Sequence, residues 1–169
     1  FVYSAVNNAD NDKGTVAEDN YRLLKYVGAP SIAELPYDEV YLDWNASGDL
    51  WKKAMNWRLK DYYFPDDEDL QQIKQTLADG KVISYSTFIS SWVSEKIVAH
   101  PDAPENSKYV DEYIVKYQDG YEGPHRMTLV GYNDNLWVDQ NSNSKVDKGE
   151  MGAFKIANSW GDEYANKGF

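Results

Sequence analysis

The chain has 169 residues, enough for one good core or for two small lobes packed on each other, and 42% of them are hydrophobic. A net charge of −11 argues against nucleic acid and anionic membrane surfaces as partners, because phosphate binding needs clustered Lys and Arg. No apolar run is long enough to span a bilayer, and the absence of Cys excludes disulfides, thiolate metal sites and a thiol nucleophile within these residues.

Taken in order, Thr15-Val16-Ala17-Glu18 has the form of a capping box, with the Thr hydroxyl accepting from a backbone N–H three residues on and Glu18 reaching back. Ala17, Tyr21 and Leu24 then recur at helical spacing, and Gly28 with Pro30 predicts the stop. Leu35-Pro36-Tyr37 reads as a turn, and Asn45-Ala46-Ser47 matches a glycosylation sequon, a pattern too common to weigh. A second helix is predicted over about Leu50 to Leu59, with Leu50, Ala54 and Trp57 on one face and Lys52, Lys53 and Arg58 solvated. The third begins in Asp66-Asp67-Glu68-Asp69, runs through Leu70, Ile73 and Leu77, and stops at Gly80. Acidic residues complement the positive end of a helix dipole, which explains that run more simply than a metal site does.

After Gly80 the period becomes alternating, with Ile83, Tyr85, Thr87 and Ile89 on one side of a strand. A loop over 101–108 leads to a second strand around Tyr113 to Tyr117. Two further strands are predicted, one following His125 and one ending at Asn158. The expected class is α+β, with a helical part over 1–80 and a β-rich part over 81–169.

A His at a strand entrance and an Asn at a strand exit are commonly turn and hydrogen-bonding residues. An imidazole oriented by an amide is also the arrangement that serves a nucleophile. The surrounding residues favour the second reading. Pro124-His125-Arg126-Met127-Thr128-Leu129-Val130-Gly131-Tyr132, followed by Ala153-Phe154-Lys155-Ile156-Ala157-Asn158-Ser159-Trp160-Gly161 and then Asn166-Lys167-Gly168-Phe169, resembles the His and Asn blocks of bacterial-type papain-like cysteine peptidases. Less sharply, 14–37 looks like that family's helix leading into a Tyr-Pro-Tyr type turn, and 69–83 like the helix and strand that open its β-rich lobe; 38–65 then reads as an insertion. The resemblance implies a two-lobe fold, helical first and antiparallel β-barrel-like second, incomplete here at both ends.

It also implies roles. His125 would be the general base and partner of a thiolate, Asn158 would orient the imidazole, and Trp160 would shield their hydrogen bond from water. Arg126 occupies the position after the His that helps shape a substrate pocket; it implies either a preference for acidic side chains or a cation pointing to solvent. When complete, such an enzyme hydrolyses peptide bonds in a peptide or protein substrate. The family's Cys and its oxyanion-hole Gln lie on a segment before the point where Phe1 begins. The chain starts with neither an initiator Met nor a signal-peptide pattern, so it reads as a processed or excised piece. By itself it is expected to be inactive, with Cys and Gln coming from a separate chain or a removed segment, or else to be a non-catalytic relative. Ser159 is no substitute, since in a strand it faces away from Asn158. Zero Cys also suits a secreted or cell-surface bacterial protein that does without disulfides.

The connection between the two blocks carries a second pattern. Asp139, Asn141, Asn143, Asp147 and Glu150 stand at positions one, three, five, nine and twelve of a calcium loop, and Lys145 at seven would offer its backbone carbonyl. Ser144 replaces the usual Gly at position six, and the flanks read as strands instead of helices. Asn- and Asp-rich loops also form without metal, through side-chain turns. The calcium reading gives the ion a structural role, pinning the His and Asn strands in register. Two further readings remain beside the peptidase: an inactive, peptide-binding relative, and a calcium-stabilised adhesion or carbohydrate-binding domain.

Overall fold

A computed structural model describes residues 1–7, 14–36 and 47–169. Tyr37, most of the sequon and the first part of the supposed insertion lie outside the described residues. The chain divides into two compact units, Phe1–Phe64 and Pro65–Phe169. Among the described residues no helix is long and apolar enough to cross a membrane.

In the first unit, α1 (Val2–Asn7) packs against α2 (Ala17–Tyr26). The capping box does not form. The N-cap is Val16, one residue later than expected, so Glu18 falls at the second helical position, and Thr15 Oγ1 instead accepts from the Asn20 side chain at 2.8 Å. The stop is as expected: Gly28 adopts φ +94°, and a side chain there would overlap the Ala54 carbonyl. α3 (Gly48–Ala54) is shorter than its periodicity suggests. The chain turns back after it, with Leu59 N–H donating to the Leu24 carbonyl at 3.0 Å, which a continuing helix could not do. Trp57 is therefore exposed (62%) instead of facing the core. The return is fixed by the Lys25–Asp61 ion pair at 2.8 Å and by the Tyr21 and Tyr62 rings, 5.4 Å apart.

The second unit opens with α4 (Leu70–Ala78), capped by Asp69, whose carboxylate accepts from Gln72 N–H at 3.0 Å. α4 buries Thr76 and Leu77 and packs on β1 (Ile83–Phe88) and β4 (Pro124–Trp137). A boundary near Lys81 would cut through this packing, and the division falls between Phe64 and Pro65 instead. β4 is the spine. On one side it pairs antiparallel with β1, Ile83 opposite Leu129 through Phe88 opposite Pro124; on the other it pairs with β5 (Met151–Ala157). Met127 and Leu129 on its inner face join Leu77, Ile97, Leu136, Trp137 and Val138 in the core.

β2 (Trp92–Lys96) was not expected. It follows a 3-10 turn at Ile89–Ser91 that ends the alternation of β1, and its Ser94, Glu95 and Lys96 mask the strand pattern. β2 and β3 (Tyr113–Gln118) pair only with each other. Among the described residues the strands therefore form a three-stranded sheet, β1-β4-β5, and a separate ribbon, and the expected β-barrel does not close. Asn106, 1% exposed, ties the far end of β4 to its neighbours: its amide donates to the Val98 and Trp137 carbonyls, and its Oδ1 accepts from Trp137 N–H.

Candidate active site

Antiparallel pairing sets the first residues of β4 beside the last of β5, with Thr128 opposite Ala157. His125 and Asn158, far apart in sequence, thereby meet at one end of the sheet: His125 Nε2 and Asn158 Oδ1 are 2.8 Å apart. Two backbone bonds hold the Asn. Asn158 N–H donates to the Gly168 carbonyl at 2.9 Å, and Ser159 N–H donates to Asn158 Oδ1 at 2.8 Å. The second bond decides the proton positions. Because Oδ1 faces a backbone donor, the amide orientation assigned by the network is the one that avoids opposing two N–H groups. Nε2 must then be the donor to Oδ1, and in neutral His125 the lone pair sits on Nδ1.

Trp160 packs on the imidazole. Its ring lies 4.8 Å from the imidazole at 32°, and Tyr164 packs edge-on against it at 5.0 Å. Tyr164, four residues beyond Trp160, was not singled out in the sequence, although an aromatic spaced to support an exposed Trp is a usable signal. Asn158 Nδ2 is buried and has no hydrogen-bond partner among the described residues. The pair thus has an open base at Nδ1 and an unsatisfied donor at Nδ2. Chemically it can take a proton from an acidic group at Nδ1 and stabilise the resulting imidazolium through Oδ1.

Arg126 is exposed and donates to Ser84 Oγ at 3.1 Å. Strand alternation puts it on the face opposite His125. A cleft of about 800 Å³, lined by Tyr85, Trp92, Tyr117, Phe154 and Ile156 among others, opens between the sheets and reaches Asn158 without touching His125.

The fold is similar to that of a cysteine protease. The solved structure of xylellain, a cysteine protease from Xylella fastidiosa, superposes with a TM-score of 0.64 at 21% identity, over 99% of this chain and 60% of that one. The chain spans 60% of the length of that relative, and at this identity the likeness concerns the fold. No protein-family model and no curated protein sequence matches the chain.

The loop between β4 and β5 gathers the residues of the calcium pattern, but turns them inward. Asp139 accepts from Asn143 N–H at 3.1 Å and from Ser144 N–H at 2.9 Å; Asn141 Oδ1 accepts from Asn143 N–H, and Asn143 Oδ1 from Lys145 N–H. The Asn141 and Asn143 amides donate to Asp147 Oδ2 at 3.0 and 2.6 Å, and these bonds hold the Asp147 carboxyl below its usual range. Ser144 takes φ +59°, the left-handed conformation for which Gly is normally used. Glu150 is buried (5% exposed). Oε2 accepts from Trp137 Nε1 at 3.0 Å and Asp147 N–H at 3.2 Å, while Oε1 accepts from Gln140 and Asn141 N–H at 3.0 and 3.4 Å.

These bonds, the Trp137 one foremost, lower the Glu150 pKa. Glu150 therefore does not fit the free bidentate carboxylate of position twelve, because both oxygens are already taken by N–H donors. Among the described residues no group of three or more His, Asp or Glu is placed to hold a metal ion. Lys116, with its side chain 7% exposed, ties the loop to the ribbon by bonding Ser142 Oγ at 2.9 Å and pairing with Glu95 at 3.1 Å.

Proposed function

We propose that the chain is the His- and Asn-bearing part of a papain-like cysteine peptidase that hydrolyses peptide bonds when a Cys-bearing segment completes it. One observation carries this reading: His125 Nε2 is held on Asn158 Oδ1 at 2.8 Å under the Trp160 ring, with Nδ1 left as the open base. A thiol brought to Nδ1 would lose its proton to the imidazole, and the resulting ion pair keeps the thiolate reactive near neutral pH. The thiolate would attack the scissile carbonyl, His125 would give the proton to the leaving amine as the C–N bond breaks, and a water deprotonated by His125 would then release the acyl group from sulfur as the acid and restore the thiol. Asn158 would keep the ring pointed at both partners throughout, and Trp160 would keep water from competing for their hydrogen bond. The fold likeness to a cysteine protease supports the reading, as does the ordered match of both sequence blocks.

The absence of Cys from these residues favours one second reading, an inactive relative that retains only peptide binding. The sequence encoded upstream of Phe1 separates the two. A Gln followed about six residues on by a Cys opening an apolar helix supports the peptidase, and Ser or Gly in place of that Cys supports the inactive relative. The biochemical test is hydrolysis of a fluorogenic peptide by the chain alone and by the chain produced together with that segment. Turnover is expected only in the second case, and no turnover in either would overturn the proposal.

For the 139–150 loop, calcium enters as an added ligand. Asp139, Asn141, Asn143, Asp147 and the Lys145 carbonyl would hold it, and Glu150 would join only by giving up N–H donors. Arg126 is proposed as a modest selectivity element for acidic substrate side chains.

A further inference from the structure

We propose that Thr87 is a positioning residue for His125, acting through the hydrogen bonds of its buried hydroxyl. The inference rests on His125 being the working base described above, but its test needs no catalysis. Thr87 stands directly opposite His125 in the β1–β4 pairing, and Phe88 stands opposite Pro124. Directly opposed residues share a sheet face, with Cβ atoms about 4.5–5.5 Å apart. Thr87 is the buried member of β1, 5% exposed.

Its hydroxyl is used in both senses. Oγ1 accepts from Trp92 Nε1 at 2.7 Å and donates to Gln118 Oε1 at 3.2 Å. The same Gln118 oxygen accepts from Phe88 N–H at 3.2 Å, and Gln118 Nε2 donates to the Gly120 carbonyl at 3.0 Å. One hydroxyl therefore links the end of β1, the start of β2 and the end of β3, the three elements that frame the entry to β4.

The segment running from Gln118 into His125 is held by the same frame. Asp119 N–H donates to the Ser91 carbonyl at 2.7 Å, Glu122 N–H to Ser91 Oγ at 2.8 Å, and Ile89 N–H to the Gly123 carbonyl at 3.0 Å. A side-chain carbon at Gly123, which has φ +66°, would overlap Ser90, so the backbone passes close against Ser90 at this corner. The backbone under His125 is thus held by the β1–β4 pairing, by the bonds of Ser91 and Gly123, and by the Thr87 hydroxyl that ties β1 to β2 and β3, while Asn158 holds the far tip of the ring. Removing the hydroxyl would leave the Trp92 N–H without its acceptor and Gln118 without its buried donor, a loss that relaxation of the corner would relieve. That relaxation would carry the imidazole away from Asn158 Oδ1.

The chain has 2 His, and His100 serves as an internal control. Its Nδ1 accepts from Asp102 N–H at 3.2 Å, so it too is expected as the Nε2–H tautomer, held by a contact unrelated to Thr87. In ¹⁵N-labelled 169-residue chain, long-range ¹H–¹⁵N correlation reads the tautomer of each ring. In the unmodified chain both rings are expected as Nε2–H. In Thr87→Val, which keeps the side-chain shape, the two His125 nitrogen shifts should converge as the other tautomer becomes populated, while those of His100 stay fixed. Thr87→Ser, which keeps the hydroxyl, should restore the unmodified pattern.

Unchanged His125 shifts in a folded Thr87→Val chain would overturn the proposal, and so would equal movement of both histidines, which reports general loosening. If Thr87→Val does not fold, Gln118→Met at an exposed position removes the acceptor of the Thr87 hydroxyl and is read the same way: converging His125 shifts support the proposal and unchanged ones overturn it. A His125 that is not Nε2–H even in the unmodified chain counts against the peptidase reading itself, and this inference falls with it.

Discussion

The two ends of the β4–β5 pair are built from similar residue types and put to opposite use. At the 139–150 end, Asp and Asn side chains and the buried Glu150 turn toward the backbone N–H groups of their own loop, and both Glu150 oxygens are occupied. At the His125–Asn158 end the same kind of donor and acceptor count stops short: one imidazole nitrogen is open and one buried amide N–H₂ has no partner among the described residues. A buried polar group left unsatisfied costs about 1–3 kcal/mol. Asn20 Oδ1 in the first unit is also buried without a hydrogen-bond partner among the described residues, so what sets the His125–Asn158 end apart is the open donor lying beside an imidazole with a free nitrogen.

The largest expected effect lies at the open end. In the completed enzyme, His125→Ala should lower kcat by roughly 10²–10⁴, the range for removing a positioned general base. Asn158→Ala should lower it by roughly 10–100-fold, the usual cost of losing a group that orients another, with KM little changed. Steady-state kinetics on a peptide substrate reads both. If Asn158→Ala raised KM and spared kcat, its role would be binding, and the contrast between the two ends would lose its chemical half.

At the closed end the expected effect is on stability. Glu150→Gln puts an N–H₂ where a carboxylate oxygen met two N–H donors, and should lower the melting temperature by about 5 °C without altering kcat once folded. Its pH dependence is distinctive. The folded-state pKa of Glu150 is depressed, so between that value and the unfolded value near 4.3 the unfolded chain binds more protons, and stability falls as pH falls. The contribution is fully present above about pH 5 and is lost on descending through the folded pKa. Glu34, Asp61, Glu105 and Asp147 are depressed as well and share this acid limb. The difference between the unmodified chain and Glu150→Gln isolates one residue: it should shrink as pH drops below about 4. A constant difference would mean that Glu150 is held by packing and not by its charge.

Much of this was legible in the sequence because local rules and long-range needs agreed there. The Gly28 and Gly80 stops, the acidic start of the third helix, and the strands carrying His125 and Asn158 follow from residue chemistry alone, and the ordered motifs brought the last two together before any pairing was seen. The failures have physical causes too. Helix α3 continues in its periodicity but not in space, because the backbone from Trp57 to Leu59 is drawn back to Leu24. β2 hid because only Trp92 and Val93 of its five residues are apolar. The boundary near Lys81 tracked a change of period, whereas the units are set by packing, and α4 packs on the sheet. Spacing placed the loop residues together but could not say which way their oxygens turn. That direction is fixed by Trp137 and by backbone N–H groups whose orientation depends on the whole loop.

The loop also gives the smallest expected effect. An ion entering it must displace hydrogen bonds that already satisfy Asp139, Asp147 and Glu150, so its net gain is the difference between metal–oxygen and N–H–oxygen contacts. The unfolded chain offers it nothing comparable. Any stabilisation then follows the ratio of free Ca²⁺ to its dissociation constant, and an affinity in the millimolar class of weak loops gives little. A chelator is expected to move the melting temperature by less than about 1 °C, and 10 mM Ca²⁺ to raise it by no more than about 2 °C, with Mg²⁺ weaker still. A chelator-induced drop of about 5 °C or more, reversed by Ca²⁺ and abolished in Asp139→Asn, would show that the ion is held by this loop in place of its internal hydrogen bonds. The closed end would then be a metal centre, its carboxylates satisfied by the ion and not by the loop's own N–H groups.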